Sequence, residues 1–145
     1  MKGNPGKRAI NKREPQPLGD LGEPPDGLSE AQRAIWIEAI SDAPKGLLKR
    51  IDASVFLAWV VARELHTRAM IAQSKLDASS PLQLLMRTRN GEIVQSPYLP
   101  IINKQAALMT KCAAELGFTP STRSRISIQT PEEDDDATAK YFAGT

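Results

Sequence analysis

The chain has 145 residues, a quarter of them charged, and a formal net charge of +2, which fits one ordinary domain with extensions. A lone cysteine, Cys112, excludes an intramolecular disulfide and a thiolate metal cluster. A lone histidine, His66, leaves a His-based triad or a zinc signature without support.

The near-neutral total hides a partition. Glu132, Glu133, Asp134, Asp135 and Asp136 against Lys140 alone leave residues 132–145 at −4 and the first 131 residues at +6. A basic body with an acidic tail suggests a polyanionic partner and a tail that competes with it. A solvated, disordered end is an equally good reading of that tail. No apolar run approaches the ~18 residues of a membrane span, and an apolar signal core is missing near Met1. The expectation is therefore a soluble protein without membrane partners.

Residues 1–27 hold Pro5, Pro15, Pro17, Pro24 and Pro25 and five glycines, a composition hostile to helices and central strands. We read them as a flexible basic arm, disordered or draped over the body. The first helix begins at Ser29, with Gln32 completing a capping box and Leu28 as the staple. Its apolar face runs from Ala31 to Ile40 and stops before Pro44 and Gly46. After a short connection, Asp52 is placed to cap a second helix from Ala53 to about Lys75. Between Ala53 and Ala62 this helix is apolar almost all round, and such a helix must be covered all round. Val55, Phe56, Leu57, Trp59, Val60 and Val61 are accordingly expected to supply an oligomer interface. Glu64 and Arg68 are spaced for an i,i+4 pair.

Asp77 to Pro81 reads as a break. Residues 84–95 then read as a β-hairpin on a two-residue type I′ turn at Asn90-Gly91, with Arg89 facing Glu92 and Thr88 facing Ile93. Such a hairpin is marginal alone, so it should pack on helices or a neighbour's edge. Ser96-Pro97 opens a third helix, with Cys112 on its apolar face and Gly117 stopping it. Thr119-Pro120 starts a brief fourth helix carrying Arg123 and Arg125. The whole is a mainly α fold: three to four helices and one hairpin in a core at 28–128, followed by an acidic flexible tail at 129–145.

Catalytic chemistry finds no foothold. Gly3-Asn4-Pro5-Gly6-Lys7 has neither the spacing nor the preceding strand of a phosphate loop, and the acid run at 132–136 lacks a backbone that fixes coordination. The expectation is no enzyme, no cofactor and no metal. Basic clusters remain: Lys2, Lys7, Arg8, Lys12 and Arg13 in the arm, Arg123 and Arg125 after the fourth helix start, and Arg87 and Arg89 on the hairpin. Any one alone reads as solubility. Together they point to phosphate, the arm as a groove-seeking segment and Arg123/Arg125 beside free helix N–H groups. A helix-turn-helix from the first two helices is conceivable, although their linker lacks a tight turn.

Two stretches carry a resemblance that composition cannot supply. Gly3-Asn4-Pro5-Gly6-Lys7-Arg8, followed by Asn11 and Glu14-Pro15, resembles the opening signature of a family of phage terminase small subunits. Glu115-Leu116-Gly117-Phe118-Thr119-Pro120-Ser121-Thr122-Arg123-Ser124-Arg125-Ile126 is similar to its closing motif. Between them lie the family-like Pro25, Leu28 and Trp36, and Asp52 at the start of the long helix. The resemblance implies a homo-oligomeric ring in the host cytoplasm that binds double-stranded viral DNA. That ring would deliver the DNA to a large subunit with ATPase and nuclease activity and modulate it. Two other classes fit the residues: a dimeric helix-turn-helix transcription regulator, and an adaptor that contacts protein only.

Overall fold

The computed structural model describes residues 18–125. Four helices and one hairpin follow in order: α1 (Glu30–Asp42), a 3₁₀ turn (Arg50–Asp52), α2 (Ala53–Ser79), β1 (Leu85–Arg87), β2 (Ile93–Gln95), α3 (Tyr98–Glu115) and the single-turn α4 (Pro120–Arg123). The mainly helical reading with one antiparallel hairpin is correct.

Local chemistry sets the helix ends. Ser29 Oγ accepts from the Gln32 amide at 3.2 Å while Gln32 Oε1 accepts from the Ser29 amide at 3.0 Å, the reciprocal box expected there. Gly117 adopts φ +76° just past α3, which a side chain would resist. Thr119 Oγ1 caps α4, with Pro120 in its first turn. Asp52 departs from expectation. It precedes α2 but makes no side-chain cap to it; its Oδ2 accepts instead from the Lys49 amide at 2.9 Å. The carboxylate thus closes the 3₁₀ turn that delivers the chain into α2. That helix also runs four residues beyond Lys75, because Ala78 and Ser79 tolerate the helical backbone and no proline intervenes before Pro81.

α2 and α3 pack against each other, with the small residues Ala62 and Ala69 of α2 and Cys112 of α3 buried. Because Phe56 near the start of α2 meets Leu116 and Phe118 just past the end of α3, the two run antiparallel as a helical hairpin. α1 crosses the first half of α2. The core sits where these meet: Leu21, Trp36, Ala39, Leu48, Phe56, Val60 and Leu116 form one buried cluster, with Trp59 and Phe118 packed against it. Phe56 is at its centre. Its ring meets Trp36 edge-on at 4.6 Å, stacks on Trp59 at 5.9 Å and meets Phe118 edge-on at 6.1 Å. The stretch before α1 joins this core, since Leu21 is buried and Trp36 Nε1 donates to the Gly22 carbonyl at 3.0 Å.

The hairpin register differs by one residue from the sequence expectation. The pairs are Leu85 with Gln95, Met86 with Val94 and Arg87 with Ile93. Thr88 N–H donates to Glu92 O at 2.8 Å, and Gly91 N–H to Thr88 O at 2.9 Å. The loop is therefore three residues, Arg89-Asn90-Gly91, with Gly91 alone among them at positive φ (+87°). This is the turn-plus-bulge solution of a three-residue hairpin. It asks only the glycine to go left-handed, whereas a type I′ turn demands it of Asn90 too.

Phe56→Ala should lower stability by about 3–5 kcal/mol, the usual cost of truncating a buried aromatic, read as a fall in Tm. Burial, aided by the Glu115 charge and opposed by Lys111, pushes the Cys112 thiol above its ordinary pKa. In alkaline solution the unfolded thiol ionises before the native one, so the native state binds more protons and stability falls as pH rises. A thiol reagent should accordingly modify the native chain far more slowly than the urea-unfolded chain.

Candidate nucleic-acid and assembly surfaces

Lys2, Lys7, Arg8, Lys12 and Arg13, expected to contact DNA, lie outside the described residues. Arg123 ends α4 and Arg125 follows it, both exposed. The backbone around them is less open than the sequence suggested: the Thr122 N–H already donates to Thr119 Oγ1 at 3.3 Å, and the Arg123 and Ser124 amides are taken by the Thr119 and Pro120 carbonyls.

The candidate interface residues divide. Phe56 and Val60 are wholly buried inside this chain, because α1 and the segment around Leu116 and Phe118 cover that side of α2. Val55, Leu57, Trp59 and Val61 are half-buried. Trp59 also carries the Arg63 guanidinium 5.4 Å from its ring centre, and Arg63 pairs with Glu38 of α1 at 3.1 Å. Large apolar side chains are left exposed further along: Met70 and Ile71 on α2, Leu84, Leu85, Ile93 and Val94 at the hairpin, and Ile101 and Leu108 on α3. Ile101 and Leu108 are seven apart and so share one helix face.

Charge is also divided. Residues 18–68 carry six cations and eight acids; residues 69–125 carry seven cations and three acids. Ion pairing follows the same line. The four ion pairs among the described residues are Arg33–Asp26, Lys49–Asp20, Arg63–Glu38 and Arg68–Glu64. Beyond Arg68, the exposed Lys75, Arg87, Arg89, Lys104, Lys111, Arg123 and Arg125 have no acidic partner among the described residues. Sequence reading found the arginines but passed over Lys75 and Lys104, whose signal lies in the scarcity of acids around them.

The joint between α2 and the hairpin is a small polar network. Asp77 Oδ1 accepts from Gln73 Nε2 at 2.8 Å and from the Leu84 amide at 2.7 Å. Gln83 and Leu84 adopt positive φ (38° and 24°), costly for residues with a Cβ at roughly 1 kcal/mol or more each. Gln73 Oε1 is buried without a hydrogen-bond partner. The expected break at Asp77 is thus a helical residue whose carboxylate holds the exit of the chain. An open groove of about 280 Å³ beside α1 is lined by Leu21, Glu23, Pro25, Trp36, Arg50 and Leu57 among others, a mostly apolar floor on which Glu23 and Arg50 form no ion pair with each other. Among the described residues no three His, Cys, Asp or Glu side chains gather as metal ligands, and no helix is long and apolar enough to cross a membrane.

Asp77→Ala should free both donors and cost about 1–3 kcal/mol. Hydrogen exchange should then speed up across residues 84–96 while α1 and the first half of α2 stay protected. Gln83→Gly should leave Tm unchanged or raise it, since glycine accepts the left-handed backbone.

Comparison with known proteins gives one match. A family model described as phage terminase, small subunit, matches residues 33–133, a span that includes the Glu115–Ile126 motif and begins after the Gly3–Arg8 motif. No curated protein and no solved structure matches the chain. The family match runs from within α1 past the end of α4 and covers well over half of the sequence: the chain belongs to the phage terminase small subunit family.

Proposed function

We propose that this protein is the DNA-recognition component of a phage genome-packaging terminase. It acts in the host cytoplasm, assembles as a homo-oligomeric ring, binds double-stranded viral DNA and delivers it to the large ATPase/nuclease subunit, whose activity it modulates. It is not itself an enzyme and uses no cofactor or metal. The observation that carries this reading is the family match over residues 33–133. Seven cations beyond Arg68 without an acidic partner among the described residues support the DNA side of it. The exposed large apolar residues on α2, the hairpin and α3 support assembly, since a partner surface would cover them. Identical protomers around an axis multiply weak basic contacts by avidity, so each copy needs only modest charge.

In this reading the arm residues Lys2, Lys7, Arg8, Lys12 and Arg13, with Arg123 and Arg125, contact DNA, and the half-buried Val55, Leu57, Trp59 and Val61 contribute to the subunit contact. A helix-turn-helix regulator draws no support from the linker. Ala43–Asp52 contains a 3₁₀ turn and a bridge to Asp20, in place of the tight turn of about three to four residues that the motif uses.

Native mass is the direct test. Light scattering at micromolar concentration should give an oligomer well above a dimer; a stable monomer would defeat the ring. Val61→Asp should lower that mass. A mass that holds steady would move the contact from the first half of α2 toward Met70 and Ile71. A protein-only adaptor would show no DNA binding that depends on these residues, whereas the proposed reading expects salt-sensitive binding that deletion of residues 1–13 together with Arg123→Ala and Arg125→Ala clearly weakens.

A further inference from the structure

We propose that the tip of the β1–β2 hairpin is a duplex-DNA contact, with Arg87 and Arg89 entering a groove and Lys75 and Lys104 meeting phosphates at its base. The proposal rests on the DNA-binding reading above and gives it a place in the fold.

Topology brings these four cations to one end of the molecule. Lys75 lies one turn from the end of α2, Arg87 and Arg89 lie on the hairpin, and Lys104 lies in the second turn of α3; α2 and α3 run antiparallel, so all four share the hairpin end. All are exposed, and none has an acidic partner among the described residues. Two acids are nearby. Asp77 is committed to the Gln73 and Leu84 donors. Glu92 stands at the tip, its backbone N–H held by Thr88 Oγ1 at 3.2 Å. The end keeps a positive surplus.

The hairpin has the shape for the task. From the Leu84–Ser96 pair to the Thr88–Glu92 pair the ladder advances four residues, roughly 13 Å at strand rise. β2 is exposed at every position, so the ribbon stands off the helices. Its polarity changes along its length: Leu84, Leu85 and Val94 make an apolar base, Arg87 stands opposite Ile93, and Thr88 through Glu92 make a polar tip. A two-stranded ribbon fits a major groove about 12 Å wide. The tip is ordered in advance, because Arg87 Nη1 donates to the Gly91 carbonyl at 2.9 Å. The three-residue loop lifts Arg89 out of the ladder and into solvent, where a paired strand position would have held it beside Glu92.

The test uses the full chain and a labelled random-sequence duplex of about 30 base pairs, with affinity measured by fluorescence anisotropy across a salt series. Arg87→Ala with Arg89→Ala should weaken binding tenfold or more at low salt and reduce the slope of log affinity against log salt by about 1–2, near the ~0.9 per phosphate contact expected for B-DNA. Arg89→Glu, at an exposed side chain with no hydrogen bond or ion pair among the described residues, should weaken it comparably without removing a bond that holds the hairpin. Arg87→Lys with Arg89→Lys should retain most of the affinity. Native mass should be unchanged throughout, which separates contact from avidity. Wild-type affinity and slope in both the double alanine variant and Arg89→Glu overturn the hairpin contact while leaving DNA binding intact. No binding by the wild-type chain overturns both.

Discussion

The packing of Phe56 against three other aromatic rings is the contact on which the rest of the fold depends. Its partners come from three separate parts of the chain: Trp36 from α1, Trp59 from its own helix and Phe118 from beyond α3. One buried side chain thereby fixes how α1 crosses α2 and where α3 ends. Each edge-on or stacked pair adds on the order of 1 kcal/mol beyond area burial, and the geometry matters as much as the energy. With Phe118 pinned, α4, which ends on Arg123 and is followed by Arg125, has a defined start. With Trp36 pinned, its indole N–H reaches Gly22 and draws the preceding segment over the core.

Much of this organisation was legible in the sequence. Ser29 and Gln32, Gly117, and Thr119-Pro120 announce helix ends through side-chain chemistry that acts within four residues, so no tertiary knowledge is needed. What escaped depended on longer range or on a choice between near-equal local solutions. Asp52 has two amides within reach and serves the 3₁₀ turn in place of the helix. Asn90-Gly91 satisfies both a two-residue and a three-residue loop, and only the full ladder separates them. The covering of Phe56 and Val60 by α1 and by Phe118 was invisible to periodicity, which reports that a helix face must be hidden without saying what hides it.

The functional surfaces were legible in the same uneven way. Arg87, Arg89, Arg123 and Arg125 stand out as pairs in the sequence. Lys75 and Lys104 do not, because each is a single cation on a helix face and becomes notable only when the antiparallel packing of α2 and α3 sets them at one end. The partition of ion pairs is likewise a property of the fold: Lys49 and Asp20 are distant in sequence, as are Arg63 and Glu38. Family membership came from a different kind of information, the order of residues along α1 to α4, and it agrees with the charge pattern without being derived from it.

The one-sided placement of cations that lack an acidic partner among the described residues has a vectorial consequence. Cyclic symmetry rotates protomers about an axis and never inverts them, so in the proposed ring the axial component of each protomer's dipole would add while the components perpendicular to the axis would cancel. To the extent that the hairpin end points along that axis, one rim of the proposed ring would differ electrically from the other. A long polyanion approaching such a ring would meet attraction from one direction and indifference or repulsion from the other. Direction of loading would then be encoded before any base is read, by where Lys75, Arg87, Arg89 and Lys104 stand relative to the acids of α1.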